Sequence, residues 1–147
     1  MQTIHKTLYT ADVSAINGRD GSVRSSDGQL DVKLSPPPSL GGVPGRPGSN
    51  PEQLFAAGYA ACFIGAMQFQ AAQQKLNPGQ IEISSKVAIG PAKEGQGFAL
   101  AVTLDVSVAG LDQAAAEKLV ADAHATCPYS NATRGNIDVS LTAHGKQ

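Results

Sequence analysis

Two side chains in this sequence can carry redox chemistry, the thiols of Cys62 and Cys127. A cysteine reacts as its thiolate, so each must be judged by what surrounds it. Cys62 stands in "AAGYAACFIGAM", an apolar run in which a free cysteine serves equally well as a small buried hydrophobe. Cys127 stands in "HATCPYSNATRGN", at the C-terminal end of a predicted helix, where unpaired carbonyls disfavour a thiolate. Cys62 lies well inside its own predicted helix, so neither helix end lowers its pKa and apolar neighbours raise it. A reactive Cys62 therefore needs a cation. Arg19 in a hairpin turn, Arg46 in a Gly/Pro loop and Arg134 after the second helix are the candidates. Glu52, in the cap region beside that loop, is the acid placed to orient one of them.

The elements that must position these groups can be read from local pattern. "TIHKTLYTADVSAI" is rich in β-branched residues and ends at "NGRDG", whose Asn-Gly and Asp-Gly pairs favour a tight turn, so a hairpin is predicted. After a second turn at Asp27-Gly28, Leu30, Val32 and Leu34 alternate with polar residues as a half-buried strand does. "SPPPSLGGVPGRPGSN" sustains no regular structure and is a long loop. Asn50 as cap, Pro51 at the first helical position and Gln53 as capping-box partner then start a helix predicted to run to about Leu76. Phe55, Tyr59, Cys62, Ala66 and Phe69 share one side of it, and Leu54, Ala57, Ala61, Ile64 and Ala71 the other. A helix apolar on nearly all sides is expected to be central and buried. Gly58, Ala61 and Gly65 would admit a second backbone closely, which suits a second copy of this helix in a dimer.

"IEISSKVAIG" and "FALAVTLDVSVAG" flank the turn-rich "PAKEGQG" as a hairpin. "LDQAAAEKLVADAHAT" is an amphipathic helix with Asp112 as cap, ended by Pro128, and "NIDVSLTAH" is a last strand with Ile137, Val139, Leu141 and Ala143 facing inward. The predicted order is β-β-β-α-β-β-α-β, an α+β fold with helices packed on antiparallel sheet.

Composition narrows the function classes. With 147 residues and 41% hydrophobic content, one domain over 1–147 is expected. The net charge of −1, with scattered lysines and arginines, offers no nucleic-acid face. The chain start lacks the pattern of a signal peptide, which points to the cytoplasm. The Leu54–Ala72 run is alanine- and glycine-rich and carries Gln68 and Gln70, which argues against a membrane span. No metal site is expected, because Cys62, Cys127, His5, His124 and His144 match no ligand spacing.

Around the two cysteines, "SNPEQLFAAGYAACF" and "CPYSNATRGNI" resemble the two signature segments of the organic hydroperoxide resistance (Ohr) branch of the Ohr/OsmC thiol peroxidases. The resemblance covers essentially the whole chain, including the "NGRDG" turn. It implies an Ohr/OsmC-like intertwined homodimer, with Cys62 as peroxidatic thiol, Cys127 as resolving thiol, and Arg19 and Glu52 as the pair that activates Cys62. It further implies an intramolecular Cys62–Cys127 disulfide, no bound cofactor, and reduction by dihydrolipoamide or a lipoylated protein. Phe55, Tyr59, Phe63 and Met67 would line a pocket for alkyl or lipid hydroperoxides, although the same residues also suit an ordinary core. Arg134 and Tyr129 suit a role in shaping the turn after Cys127, and Arg46 is most simply solvated.

Ten residues separate Glu52 from Cys62, about 15 Å along a straight helix, which an arginine salt bridge does not span within one subunit. An active site shared between subunits is therefore predicted, with Arg19 and Glu52 from one chain and both cysteines from the other. The competing class is a non-enzymatic redox sensor or apolar-ligand-binding dimer. Thioredoxin-like exchange would require cysteines close in sequence.

Overall fold

The computed structural model describes residues 1–147. The chain runs β1 (Val13–Ile16), β2 (Ser22–Ser25), β3 (Asp31–Lys33), α1 (Pro51–Gln73), β4 (Ile81–Pro91), β5 (Phe98–Val108), α2 (Gln113–Thr126), α3 (Pro128–Thr133) and β6 (Val139–Gly145), with 3-10 turns at Gly18–Asp20 and Pro38–Leu40. The α+β class and the element order hold, with α3 as an addition. The residues form two compact units, Met1–Leu54 and Phe55–Gln147.

In the first unit β1, β2 and β3 form an antiparallel meander, with Val13 opposite Ser25 and Val23 opposite Val32. The β1–β2 turn takes Asn17 and Gly18 through left-handed backbone, as an Asn-Gly pair permits. At the second turn Asp27 accepts bonds from the Gln29 N–H and the Ser25 hydroxyl, leaving Gly28 left-handed. The first predicted strand is longer than the one that forms. Val13 pairs with the last residue of β2, after which the chain turns toward β3, so residues 1–12 have no strand beside them. Their Ile4, Leu8 and Tyr9 are exposed, as are Val13 and Ile16 of β1. Leu34 is the only buried hydrophobic residue of this unit.

The Gly/Pro loop is tied at its ends. Ser35 donates its N–H to the Ser49 carbonyl, Ser49 donates to Lys33, and Gly48 passes so close to Ser35 that a Cβ would lie 2.7 Å from it. Asn50 then caps α1 through the Gln53 N–H at 2.8 Å, as expected, while the Gln53 side chain accepts from the Ser49 hydroxyl.

In the second unit β4 and β5 pair antiparallel over eleven residues each. β6 pairs with β5 in parallel, Val102 opposite Val139, which corrects the expectation of wholly antiparallel sheets. The cause is the helical connection: α2 and α3 carry the chain back across, so β6 re-enters in the direction of β5. Val102, Leu104, Val106 and Val108 of β5 point into the core, which Leu119, Val120 and Ala123 of α2 help fill. Tyr59, Phe63, Ala66, Met67 and Ala71 make the buried face of α1.

The rest of α1 departs from the expectation of a fully buried rod. Ala57, Ala61, Gly65, Gln68 and Phe69 are exposed, Phe69 by 54%, so only one face is buried in the single chain. By length and apolar composition α1 would suffice to cross a membrane, yet its Tyr59–Phe63–Met67 face lies in a protein core. Its last turn is closed by a left-handed Lys75, three residues before the Pro-Gly stop, with the Leu76 N–H returning to the Ala71 carbonyl.

Candidate active site

Arg19 and Glu52 come together in the first unit. The turn between β1 and β2 projects the guanidinium, and α1 places Glu52 at its second residue, where the helix N-terminus favours a negative charge. Nη1 lies 2.8 Å from one carboxylate oxygen and Nη2 2.6 Å from the other, a two-bond fork. Glu52 is largely shielded while Arg19 keeps 40% of its side chain exposed. The Arg19 hydrogen bonds hold the Glu52 carboxyl below its ordinary value against the opposing effect of burial. The neighbouring Asp20 is bound by Arg46 at 2.7 Å, so Arg46 is ion-paired rather than merely solvated. Arg134 lies in the second unit, bonding the Asn131 side chain and the His124 carbonyl, so it braces the α2–α3 junction.

The two cysteines come together in the second unit. Cys62 projects from the middle of α1, and Cys127 occupies the single residue between α2 and α3. Its N–H closes α2 on the Ala123 carbonyl, and its carbonyl accepts from Asn131 to open α3. Pro128 therefore ends one helix and begins the next, at a position where its missing N–H costs nothing. Both thiols are free, Cys127 fully buried and Cys62 partly so, with their sulfurs 3.6 Å apart.

The Cys62 thiol is pushed up from its ordinary value first by burial and then by the Cys127 contact. The backbone of Tyr129 opposes both. The expectation that an apolar setting raises this thiol therefore holds. No cation of the second unit lowers it.

The four expected pocket residues divide. Tyr59, Phe63 and Met67 are fully buried and present no surface, so the structure places them in the core. Phe55 is half-buried, with its ring 6.1 Å from that of Tyr129, which is 39% exposed. Tyr129 lies over Gly58, where a Cβ would stand 3.1 Å from its hydroxyl, and its ring is 5.7 Å from that of Tyr59. Phe55 and Tyr129 therefore form a partly exposed aromatic pair in this unit. The Pro at a first helical position marks α3 in the sequence and is the signal by which Ser130 could have been found beside Tyr129.

The histidines are engaged separately. His144 bonds Asp105 at 2.7 Å, and His124 Nδ1 shares a hydrogen with the Ser130 hydroxyl at 2.8 Å. Burial, with Arg134 adding to it, holds His124 below its ordinary value.

Comparison with known proteins matches residues 43–142 to the family described as OsmC-like protein. The chain is 57% identical over 143 residues to an organic hydroperoxide resistance protein of Xanthomonas axonopodis pv. citri, covering 97% of this chain and 99% of that protein. It is similar to the crystal structure of an organic hydroperoxide resistance protein from Legionella pneumophila, with a TM-score of 0.87, 46% identity, and coverage of 97% of this chain and 100% of that one. A corresponding structure from Elizabethkingia anophelis superposes with a TM-score of 0.89 at 44% identity, covering 95% of this chain and 99% of that one.

Proposed function

The chain belongs to the OsmC-like family, and from that premise we propose that it is a cysteine peroxidase that reduces organic hydroperoxides to alcohols. The observation that carries this reading is the free thiol pair, Cys62 and Cys127, with sulfurs 3.6 Å apart. The names of the relatives supply the substrate class.

In the first step the Cys62 thiolate attacks the terminal oxygen of ROOH, the O–O bond breaks, and the alkoxide leaves as ROH on taking a proton. Cys62 becomes a sulfenic acid. The raised pKa of this thiol means that a cation must favour its ionised form, and Arg19, oriented by Glu52, is the group proposed for that role. The same charge would stabilise the departing alkoxide. Cys127 then closes a disulfide with Cys62, and a dihydrolipoyl dithiol returns both to thiols by exchange. No cofactor is required. Phe55 and Tyr129 offer apolar surface for an alkyl or lipid chain.

The working unit is proposed to be a cytoplasmic homodimer in which the Arg19–Glu52 pair of one subunit serves the cysteines of the other. What supports a second copy is uncovered apolar surface: Ile4, Leu8, Tyr9 and Ile16 in the first unit, and Phe69 beside the small residues Ala57, Ala61 and Gly65 on α1.

Steady-state reduction of cumene hydroperoxide by dihydrolipoamide tests the activity. Wild-type turnover is expected, abolished in Cys62→Ser and halted after one oxidation in Cys127→Ser. A wild-type protein inert with every dithiol would leave Cys62 as a packing or sensing residue.

A further inference from the structure

Four polar side chains from three helices converge inside the second unit. Tyr59 of α1 and Ser130 of α3 are fully buried, and Thr133 of α3 is 5% exposed. The Tyr59 hydroxyl lies 2.9 Å from the Ser130 hydroxyl and 3.2 Å from that of Thr133. Thr133 in turn donates to the Ser130 carbonyl at 3.2 Å, and His124 of α2 shares its Nδ1 hydrogen bond with Ser130 at 2.8 Å. Hydroxyls cost free energy to bury, and phenylalanine and alanine would fill much the same space without that cost. A fully satisfied polar network is expected where one geometry must be selected over its neighbours.

The geometry it selects is that of the thiols. Ser130 lies within one helical turn of Cys127 on α3. Tyr59 precedes Cys62 by three residues, so it stands on the adjoining turn of α1. The Tyr59–Ser130 bond therefore ties the first turn of α3 to the part of α1 that carries Cys62, and His124 ties the same hydroxyl to α2. Between the tied segments the sulfurs sit 3.6 Å apart and must close to about 2.05 Å to bond.

The geometry points to Tyr59, Ser130 and His124 as positioning residues for disulfide formation, which hold Cys127 against Cys62 so that the sulfenic acid is captured before a second oxidation. This rests on the peroxidase reading and deepens it. In the step concerned an S–S bond forms and the Cys62 S–O bond breaks. The Cys127 proton leaves with the hydroxyl as water, so the Cys127 sulfur is oxidised and the Cys62 sulfur reduced. When a larger excess of hydroperoxide competes, the uncaptured sulfenic acid goes on to the sulfinic state.

Single-turnover kinetics on the full-length protein separate the two steps, with Ser130→Ala and Tyr59→Phe as the variants. In Ser130→Ala the first phase, hydroperoxide consumption, is expected to stay within about twofold of wild type, while disulfide formation slows about tenfold or more. In both variants mass spectrometry should find sulfinic Cys62 rising with hydroperoxide excess at concentrations where the wild type closes its disulfide. Tyr59→Phe keeps the ring and its packing, so it carries the test if Ser130→Ala folds poorly. Equal partition between disulfide and sulfinic acid in a folded variant and wild type would overturn the positioning role. A wild-type Cys62 that hydroperoxide does not oxidise overturns the peroxidase reading, and the proposal with it.

Discussion

Glu52 is gripped by both terminal nitrogens of Arg19, at 2.6 and 2.8 Å, across thirty-three residues of chain. Because Arg19 depresses the Glu52 pKa in the folded protein, the unfolded chain binds the proton more readily. The pair's contribution to stability is thus fully present above the ordinary carboxyl value of about 4.5 and is lost as pH falls through the lower folded value. Melting temperatures of wild type and Glu52→Gln should differ at pH 7 and converge in acid. A difference that persists unchanged at pH 3 would show that Glu52 acts otherwise.

Cys62 should reveal its activating cation in the pH dependence of its alkylation. In a Cys127→Ser background, replacing Arg19 with alanine leaves burial unopposed by charge, so the midpoint should move up. At pH 7 alkylation by iodoacetamide is expected to slow by about tenfold or more. Identical profiles would remove Arg19 from the thiol's environment.

A shared site is testable by mixing two inactive variants. If Arg19 of one subunit serves Cys62 of the other, heterodimers of Arg19→Ala with Cys62→Ser contain one intact site. Co-expression should then restore about one quarter of wild-type turnover at equal amounts, since about half the dimers are mixed. Sites contained in single chains would yield none.

Arg46 binds Asp20, the residue next to Arg19, and so steadies the turn that presents the guanidinium. Both side chains are more than a third exposed, and such pairs contribute at most about 1 kcal/mol, equivalent to about fivefold. Arg46→Ala should lower kcat/KM by no more than that factor, and the gap from wild type should close as salt is added. A loss of a hundredfold would mean that Arg46 meets the substrate itself.

The readable parts of this fold were those written in local pattern. Val102, Leu104, Val106 and Val108 alternate and are buried, and Asn50-Pro51 marks the start of α1. What escaped depended on distant partners. Strand direction has no local signal, so the parallel return of β6 went unseen. A six-residue helix such as α3 is too short to show a period. On α1 the apolar residues surround the axis, so nothing in their spacing set the buried Ala71 and Met67 apart from the exposed Phe69. The Arg46–Asp20 pair joins a loop to a turn by charge alone. The cysteines and the Arg19–Glu52 pair were singled out by motif, and the structure brings each pair together.

The parallel ladder between β5 and β6 also sets when the thiols can meet. Cys127 lies in the crossover that this ladder closes, and Cys62 lies before β4, so their encounter belongs to the non-local contacts that form slowly. A nascent chain still lacking β6 has no docked crossover to present Cys127, which disfavours the native crosslink at that stage. The capacity of Cys127 to capture an oxidised Cys62 would therefore be acquired only with the arrival of the last strand.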